Sequence, residues 1–160
     1  MRECIPLITP VRACYKAAMP LVSITRLRVR ALRYLPIFSF NALRAARQAK
    51  AASGNLAASL LADANFAFWT RTLWRDDAAM RAFMVSGAHR KMMPRLLEWC
   101  DEASVAHWTQ DSLEIPSWLE AHGRMLAEGR RSKVNHPSDA QLRFEIPVPR
   151  TTAELKLKQP

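Results

Sequence analysis

The sequence predicts an α+β fold in the order β-α-β-β-α-β, followed by one more helix. Three observations carry this expectation. Stretches that alternate apolar and polar residues take turns with stretches of helical period. Short breaks containing Gly, Asp or Pro separate them. One central stretch, "NFAFWTRTLW", carries aromatic residues on both faces, which implies cover on both sides of a sheet.

The elements follow in order. Residues 1–18 hold Pro6 and Pro10 and show no period, so they read as a loose extension ahead of Met19. "LVSITRLRVR" (21–30) alternates, with Leu27 and Val29 on one face and Arg26, Arg28 and Arg30 on the other; it is a strand. "LPIFSFNALRAARQAKAA" (35–52) places Phe38, Ala42, Ala45 and Ala49 on one side. That is an amphipathic helix with a small-residue face, opened by Pro36 and stopped at Ser53-Gly54.

"NLAASLLA" (55–62) and "NFAFWTRTLW" (65–74) read as a hairpin. In the second strand Phe66, Phe68, Thr70, Thr72 and Trp74 share one face, and Asn65, Ala67, Trp69, Arg71 and Leu73 the other. Asp76 or Asp77 caps the next helix, whose buried stripe is Met80, Phe83 and Met84. It breaks at Ser86-Gly87 and resumes through "RKMMPRLLEWCDE", with a bend or a fresh start at Pro94. "ASVAHWTQ" (103–110) is the fourth strand, and "IPSWLEAHGRMLAEGRR" (115–131) the last helix. Asp76-Asp77 and Asp101-Glu102 are neighbours that point apart, so they read as helix-end and loop charges. The proline-rich end, 139–160, reads as a mobile tail or a strap over a partner subunit.

This order is the ferredoxin-like split βαβ pattern. The domain is expected over 19–138. A four-stranded sheet with helices on one side leaves its other face bare, and two such faces can close against each other. A homodimer is therefore expected.

Composition narrows the function. The 160 residues suit one domain, and 49% are hydrophobic, enough for a core. The net charge is +10, yet Arg and Lys are scattered, so no specific nucleic-acid footprint is expected. No apolar run is long enough for a membrane span. Cys4, Cys14 and Cys100 are odd in number and unrelated in spacing, which suggests reduced thiols in a cytoplasmic protein. Zinc signatures, Ser/His/Asp sets and phosphate-cradling Gly motifs are absent, and no metal site is expected.

"TRLRVRALRYLPIFSF", "FWTRTLWRDDAAMRAFMVSGAHRKMM" and "LEWCDEASVAHW" resemble the dimeric α/β-barrel superfamily. Within it they are similar to small bacterial relatives of spheroidene monooxygenase, and more distantly to the antibiotic-biosynthesis monooxygenases. The resemblance spans about residues 19–138. It implies a barrel built from two sheets and a ligand pocket between sheet and helices. It also implies oxygenase chemistry on a hydrophobic small molecule, heme-dependent in the first group and free of cofactor in the second. The cofactor thus stays open between heme and none.

His89 is the leading candidate. Along its helix it shares a side with Met92 or Met93, Leu96 and Cys100, so it projects toward the interior. It suits an axial heme ligand or a general base, because burial keeps imidazole neutral. The bland alternative is a buried histidine bonded to a backbone carbonyl, or one capping the broken helix. Asn65 and Arg71 are candidate catalytic partners, Asn65 for a substrate carbonyl and Arg71 for a carboxylate such as a heme propionate. Trp69, with Phe66, Phe68, Met93, His107 and Trp108, would line the pocket, while Trp74 and Trp99 read as core. The rival to a monooxygenase-like enzyme is a non-catalytic dimeric module that binds a small ligand or a protein.

Overall fold

The computed structural model describes residues 19–157. The proposed extension 1–18, with Cys4 and Cys14, lies outside the described residues. Strands β1 (Leu21–Val29), β2 (Asn55–Ala62), β3 (Ala67–Trp74) and β4 (Cys100–Thr109) form the central sheet. Two short strands extend it, β5 (Arg130–Arg131) and β6 (Glu154–Leu157). The order is β5-β4-β1-β3-β2-β6, antiparallel throughout. The inner four have the ferredoxin-like arrangement, as the sequence predicts.

Helix α1 (Leu35–Ala51) connects β1 to β2; α2 (Asp77–Met84) and α3 (Gly87–Trp99) connect β3 to β4. These three cover one face of the sheet. Asp76 caps α2 by accepting the Ala79 N–H at 2.7 Å. The break between α2 and α3 falls at Gly87, whose φ of +53° suits glycine. Pro94 sits inside α3 and neither ends nor restarts it.

Helix α4 (Trp118–Glu128) covers the opposite face. Its Trp118, Ala121 and Met125 pack with Val22, Ile24, Trp69 and Trp108. The sheet face expected to await a partner is therefore roofed within the chain. Its aromatic residues need no second subunit to leave water.

The two sides differ in how they are filled. On the α4 side the alternate residues of β1 and β4 include ions as well. Arg26 and Glu102 pair at 2.5 Å and are almost wholly buried. Glu102 also meets Arg28 at 3.0 Å and accepts a bond from Ser138. Asp101 and Glu102 are thus strand residues of β4, not helix-end charges. The strand begins earlier than the alternation suggested because Cys100 pairs with Val29 across a bulge.

Residues 139–157, expected as a tail, pack on the domain. Short helix α5 (Asp139–Arg143) brings Gln141 against β4. The Gln141 side chain donates to the Ala103 and Ser132 carbonyls and accepts the Ala103 N–H. β6 pairs with β2 from Ala58↔Leu157 to Leu61↔Glu154. The segment between α5 and β6 carries Pro147 and Pro149 and leads to a strand that pairs with the chain's own sheet.

Candidate functional site

The pairing register lays three rows of side chains across the sheet beneath α1–α3. One row is His107, Ser23, Thr72 and Ala58. The next is Val105, Thr25, Thr70 and Leu60. The third is Ala103, Leu27, Phe68 and Ala62. These twelve residues line a cavity of about 520 Å³ between the sheet and the helices.

Its roof is made by the small face of α1. Ala42, Ala45, Ala46 and Ala49 line the space, with Met92, Met93 and Leu96 of α3 beside them. Ala42, Ala45 and Ala49 pack against neighbouring apolar side chains, while Ala46 is buried and lines the open space.

His89 lines this cavity. Its Nδ1 lies 3.1 Å from the Met84 carbonyl, the end of α2, so Nδ1 carries the proton and donates. Nε2 is then an unprotonated acceptor and has no protein partner among the described residues. The ring also stands 4.6 Å from Phe83, which stands 5.1 Å from Trp74. One nitrogen thus bonds a backbone carbonyl, as the alternative reading expects, and the other has no protein partner among the described residues.

Gln48 of α1 fixes the backbone around it. Its Oε1 accepts the His89 N–H at 3.0 Å, and its Nε2 donates to the Ser86 carbonyl at 3.0 Å. Burial lowers the His89 pKa below its ordinary value, opposed by the Met84 bond. Burial also lowers His107, and the Arg130 charge adds to it, with Asp77 opposing. Both imidazoles are held toward the neutral form. Cys100, buried at the start of β4, has its thiol pushed up to about 12 by burial and is no nucleophile.

The polar groups of the cavity include His89, His107, hydroxyls on the sheet floor, and Ser39, Ser59, Ser132, Arg130 and Lys133. Thr72 is engaged, donating to the Ser23 carbonyl and accepting from Trp74 Nε1. Thr25 and Thr70, paired across β1 and β3, make no side-chain hydrogen bond among the described residues. Apolar walls with a few convergent polar groups are what a small-molecule site requires.

Of the residues singled out from sequence, His89, Phe68, Met93 and His107 come together here. The others do not. Asn65 precedes β3, in a turn with φ of +55°, and faces a separate polar hollow with Arg26 and Arg150. Phe66, also left-handed at +61°, is exposed. Arg71 is on the α4 side, donating to the Pro116 carbonyl, paired with Glu154 at 2.6 Å, and 4.2 Å over Trp118. Trp69 borders the cavity, but its indole is packed on the α4 side and donates to Asp63. Trp108 is packed there too, under Arg124 at 5.2 Å. Trp74 and Trp99 are core, as expected.

The alternation separated the two faces of β3 correctly. It did not say which face the cavity would take. Thr25 and Thr70 were missed; the signal available was a threonine in the apolar row of each of two paired strands.

Were a heme bound, His89 would be the residue to hold its iron, through the Nε2 that its Nδ1 bond to Met84 leaves free. Arg71 cannot serve a propionate from the far side of the sheet. Arg130 and Lys133, both exposed, are the cations that line it. Among the described residues no group of His, Cys, Asp and Glu could hold a metal ion by itself, and no helix is long and apolar enough to cross a membrane.

A family model described as "Domain of unknown function (DUF3291)" matches residues 43–147. No curated protein matches the sequence. Among solved structures, a conserved protein from Methanosarcina mazei Go1 superposes with a TM-score of 0.52 at 11% identity, over 59% of this chain and 95% of its own. A protein of unknown function from Nitrosomonas europaea gives 0.51 at 16% identity, over 63% of this chain and 98% of its own. These likenesses show a shared fold. SnoaB, a cofactor-independent oxygenase from Streptomyces nogalater, gives 0.49 at 15% identity over 59% of this chain and 96% of its own, too loose a likeness to carry an argument.

Proposed function

The chain belongs to the DUF3291 family, and for it we propose a monooxygenase-like activity on a hydrophobic small molecule held between the sheet and α1–α3. One observation carries this: His89, tethered through Nδ1 to the Met84 carbonyl, lines an apolar cavity of about 520 Å³ and keeps an Nε2 with no protein partner among the described residues. The resemblance of the sequence to relatives of spheroidene monooxygenase and to the antibiotic-biosynthesis monooxygenases supports the same reading.

The chemistry suits a flat, ring-bearing substrate with an acidic C–H or phenolic O–H. His89 Nε2 takes that proton, the Met84 carbonyl keeps the ring from turning as it becomes charged, and Gln48 holds the backbone beneath it. Thr25 and Thr70 donate to the oxygen of the resulting anion. The anion gives electrons to O₂. For an activated methylene the balance is R₂CH₂ + O₂ → R₂C=O + H₂O, with all four electrons drawn from the substrate. Where heme is bound instead, its iron would supply O₂ activation, with His89 as ligand.

The test is O₂ uptake with polycyclic quinols, run beside binding of an apolar fluorescent probe. Replacing His89 by Asn keeps the donor to Met84 and removes the base. It should lower turnover about 10²–10⁴-fold with probe binding intact. Unchanged turnover sinks the assignment. Probe binding with no O₂ uptake in the wild type favours the non-catalytic binding module. A hemin titration that gives a sharp Soret band in the wild type and not in His89→Ala selects the heme route.

A homodimer belongs to this reading as well. Since α4 covers the sheet, a second copy would meet Leu119 and Leu126, exposed on its outer side. Light scattering at twice the chain mass would support it; the mass of one chain at high concentration would refute it.

A further inference from the structure

We propose that the outer surface of α1 and α3 docks on an anionic lipid bilayer, and that the cavity is loaded from it. The observations concern charge first. Helix α1 contains no Asp or Glu and carries Arg44, Arg47 and Lys50, all exposed. Helix α3, packed beside it, exposes Arg90, Lys91 and Arg95. Arg33 is exposed in the turn before α1. None of these seven cations is in an ion pair among the described residues. The one acid on the two helices, Glu98, is taken by Arg30 and His136.

The second observation separates a bilayer from a purely polyanionic partner. Ile37, Phe40 and Leu43 are exposed on the same arc of α1 as the cations, and Phe40 is 57% exposed. At 100° per residue the exposed side of α1 runs without interruption from Ile37 through Arg44, Phe40 and Arg47 to Leu43 and Lys50. The apolar residues take the first turns and the cations the last. Nucleic acid rewards the cations and has no use for exposed Phe40 and Ile37. A helix lying in the lipid headgroup region buries such apolar side chains and pairs such cations with phosphates.

The third observation connects the surface to the cavity. Leu43 on α1 and Met93 on α3 are exposed and also line the cavity. The cavity therefore opens beside the cationic layer. An apolar ligand dissolved in the bilayer reaches it without crossing water. This last step rests on the ligand reading above; the docking does not.

The experiment is co-sedimentation of the full chain with vesicles, one set of phosphatidylcholine alone and one of phosphatidylcholine and phosphatidylglycerol in equal parts. Retention on the anionic set, weakened by salt, is expected. Arg44→Gln with Arg47→Gln should lower partitioning about 25-fold, at about fivefold per cation. Phe40→Ser should lower it without changing its salt dependence. All three sites are exposed, so the melting temperature should hold in each variant. No retention, or equal retention on both vesicle sets, overturns the proposal. So does salt-sensitive retention on duplex DNA without vesicle binding. If the soluble protein takes up the apolar probe but ignores vesicles, docking fails and the ligand reading stands. Vesicle binding without probe uptake supports docking and removes the ligand reading.

Discussion

Replacing Ala46 by Leu tests whether the space under α1 is a cavity or tight packing. Ala46 is buried and lines the open volume. Leucine adds three methylene-sized groups, worth about 0.8 kcal/mol each when buried. Fixing the leucine rotamers takes back about 0.5–1 kcal/mol, and the helix propensity of Leu is close to that of Ala. The expected gain is about 1.5–2 kcal/mol, or roughly 3–8 °C in melting temperature for a chain of this size. The same leucine intrudes on the ligand volume, so the affinity for an apolar probe should fall. Urea unfolding and a probe titration on one preparation measure both. A loss of about 1–3 kcal/mol with probe affinity unchanged is the signature of overpacking. That result would refute the open cavity and with it the proposed site.

Four further outcomes are expected. The folded protein keeps His89 and His107 neutral at a pH where unfolded histidine binds protons, so unfolding takes up protons. Stability should therefore fall as pH drops below the ordinary value of 6.5, and urea titrations should show a shallower fall for His89→Asn. Glu102→Ala leaves Arg26 buried without its partner and should cost about 3–5 kcal/mol, most of it recovered when Arg26→Met is added; a loss under about 1 kcal/mol would contradict the buried pair. Gly87→Ala meets a φ of +53° and Gln48 Oε1 at 2.6 Å, and should cost about 1–2 kcal/mol while freeing the His89 N–H to faster hydrogen exchange. If the domain begins at Met19, deleting residues 1–18 should leave the melting temperature within about 2 °C.

Much of the scaffold could be read from residue order. Leu27 against Arg26 and Arg28 marked β1, and the two faces of β3 were separated correctly from Ala67 onward. Asp76 announced α2, and Ser86-Gly87 announced the break before His89. These signals are local, since they depend on periodicity and turn chemistry within a few residues. The errors fell where distant segments decide. Phe68 and Trp69 are neighbours of similar bulk, and only the positions of α1 and α4 determine which faces a cavity. Arg71 looked like a ligand group because Glu154 and Pro116, its partners, lie far along the chain. Asn65 lies two residues outside its strand because a left-handed turn costs Asn little and leaves no trace in the alternation. The alanine face of α1 was visible, but whether small residues close a gap or leave one depends on the threonine rows opposite.

The strap formed by residues 139–157 has a consequence for how the chain keeps to itself. A sheet ends in a row of unpaired amides and carbonyls that can template another chain. Here β6 occupies that row on β2. On β4, the amide of Gln141 stands in for a neighbouring strand where β5 is too short to continue. A protein cut after residue 138 would keep its cavity walls of β1, β3 and α1 but bare the β2 margin and lose the Gln141 bonds to Ala103 on β4. Its first failure would be self-association through strand pairing, with particles seen before any loss of helix signal. The segment expected as a mobile tail or a strap over a partner thus covers positions on the sheet margins that would otherwise be open to strand pairing.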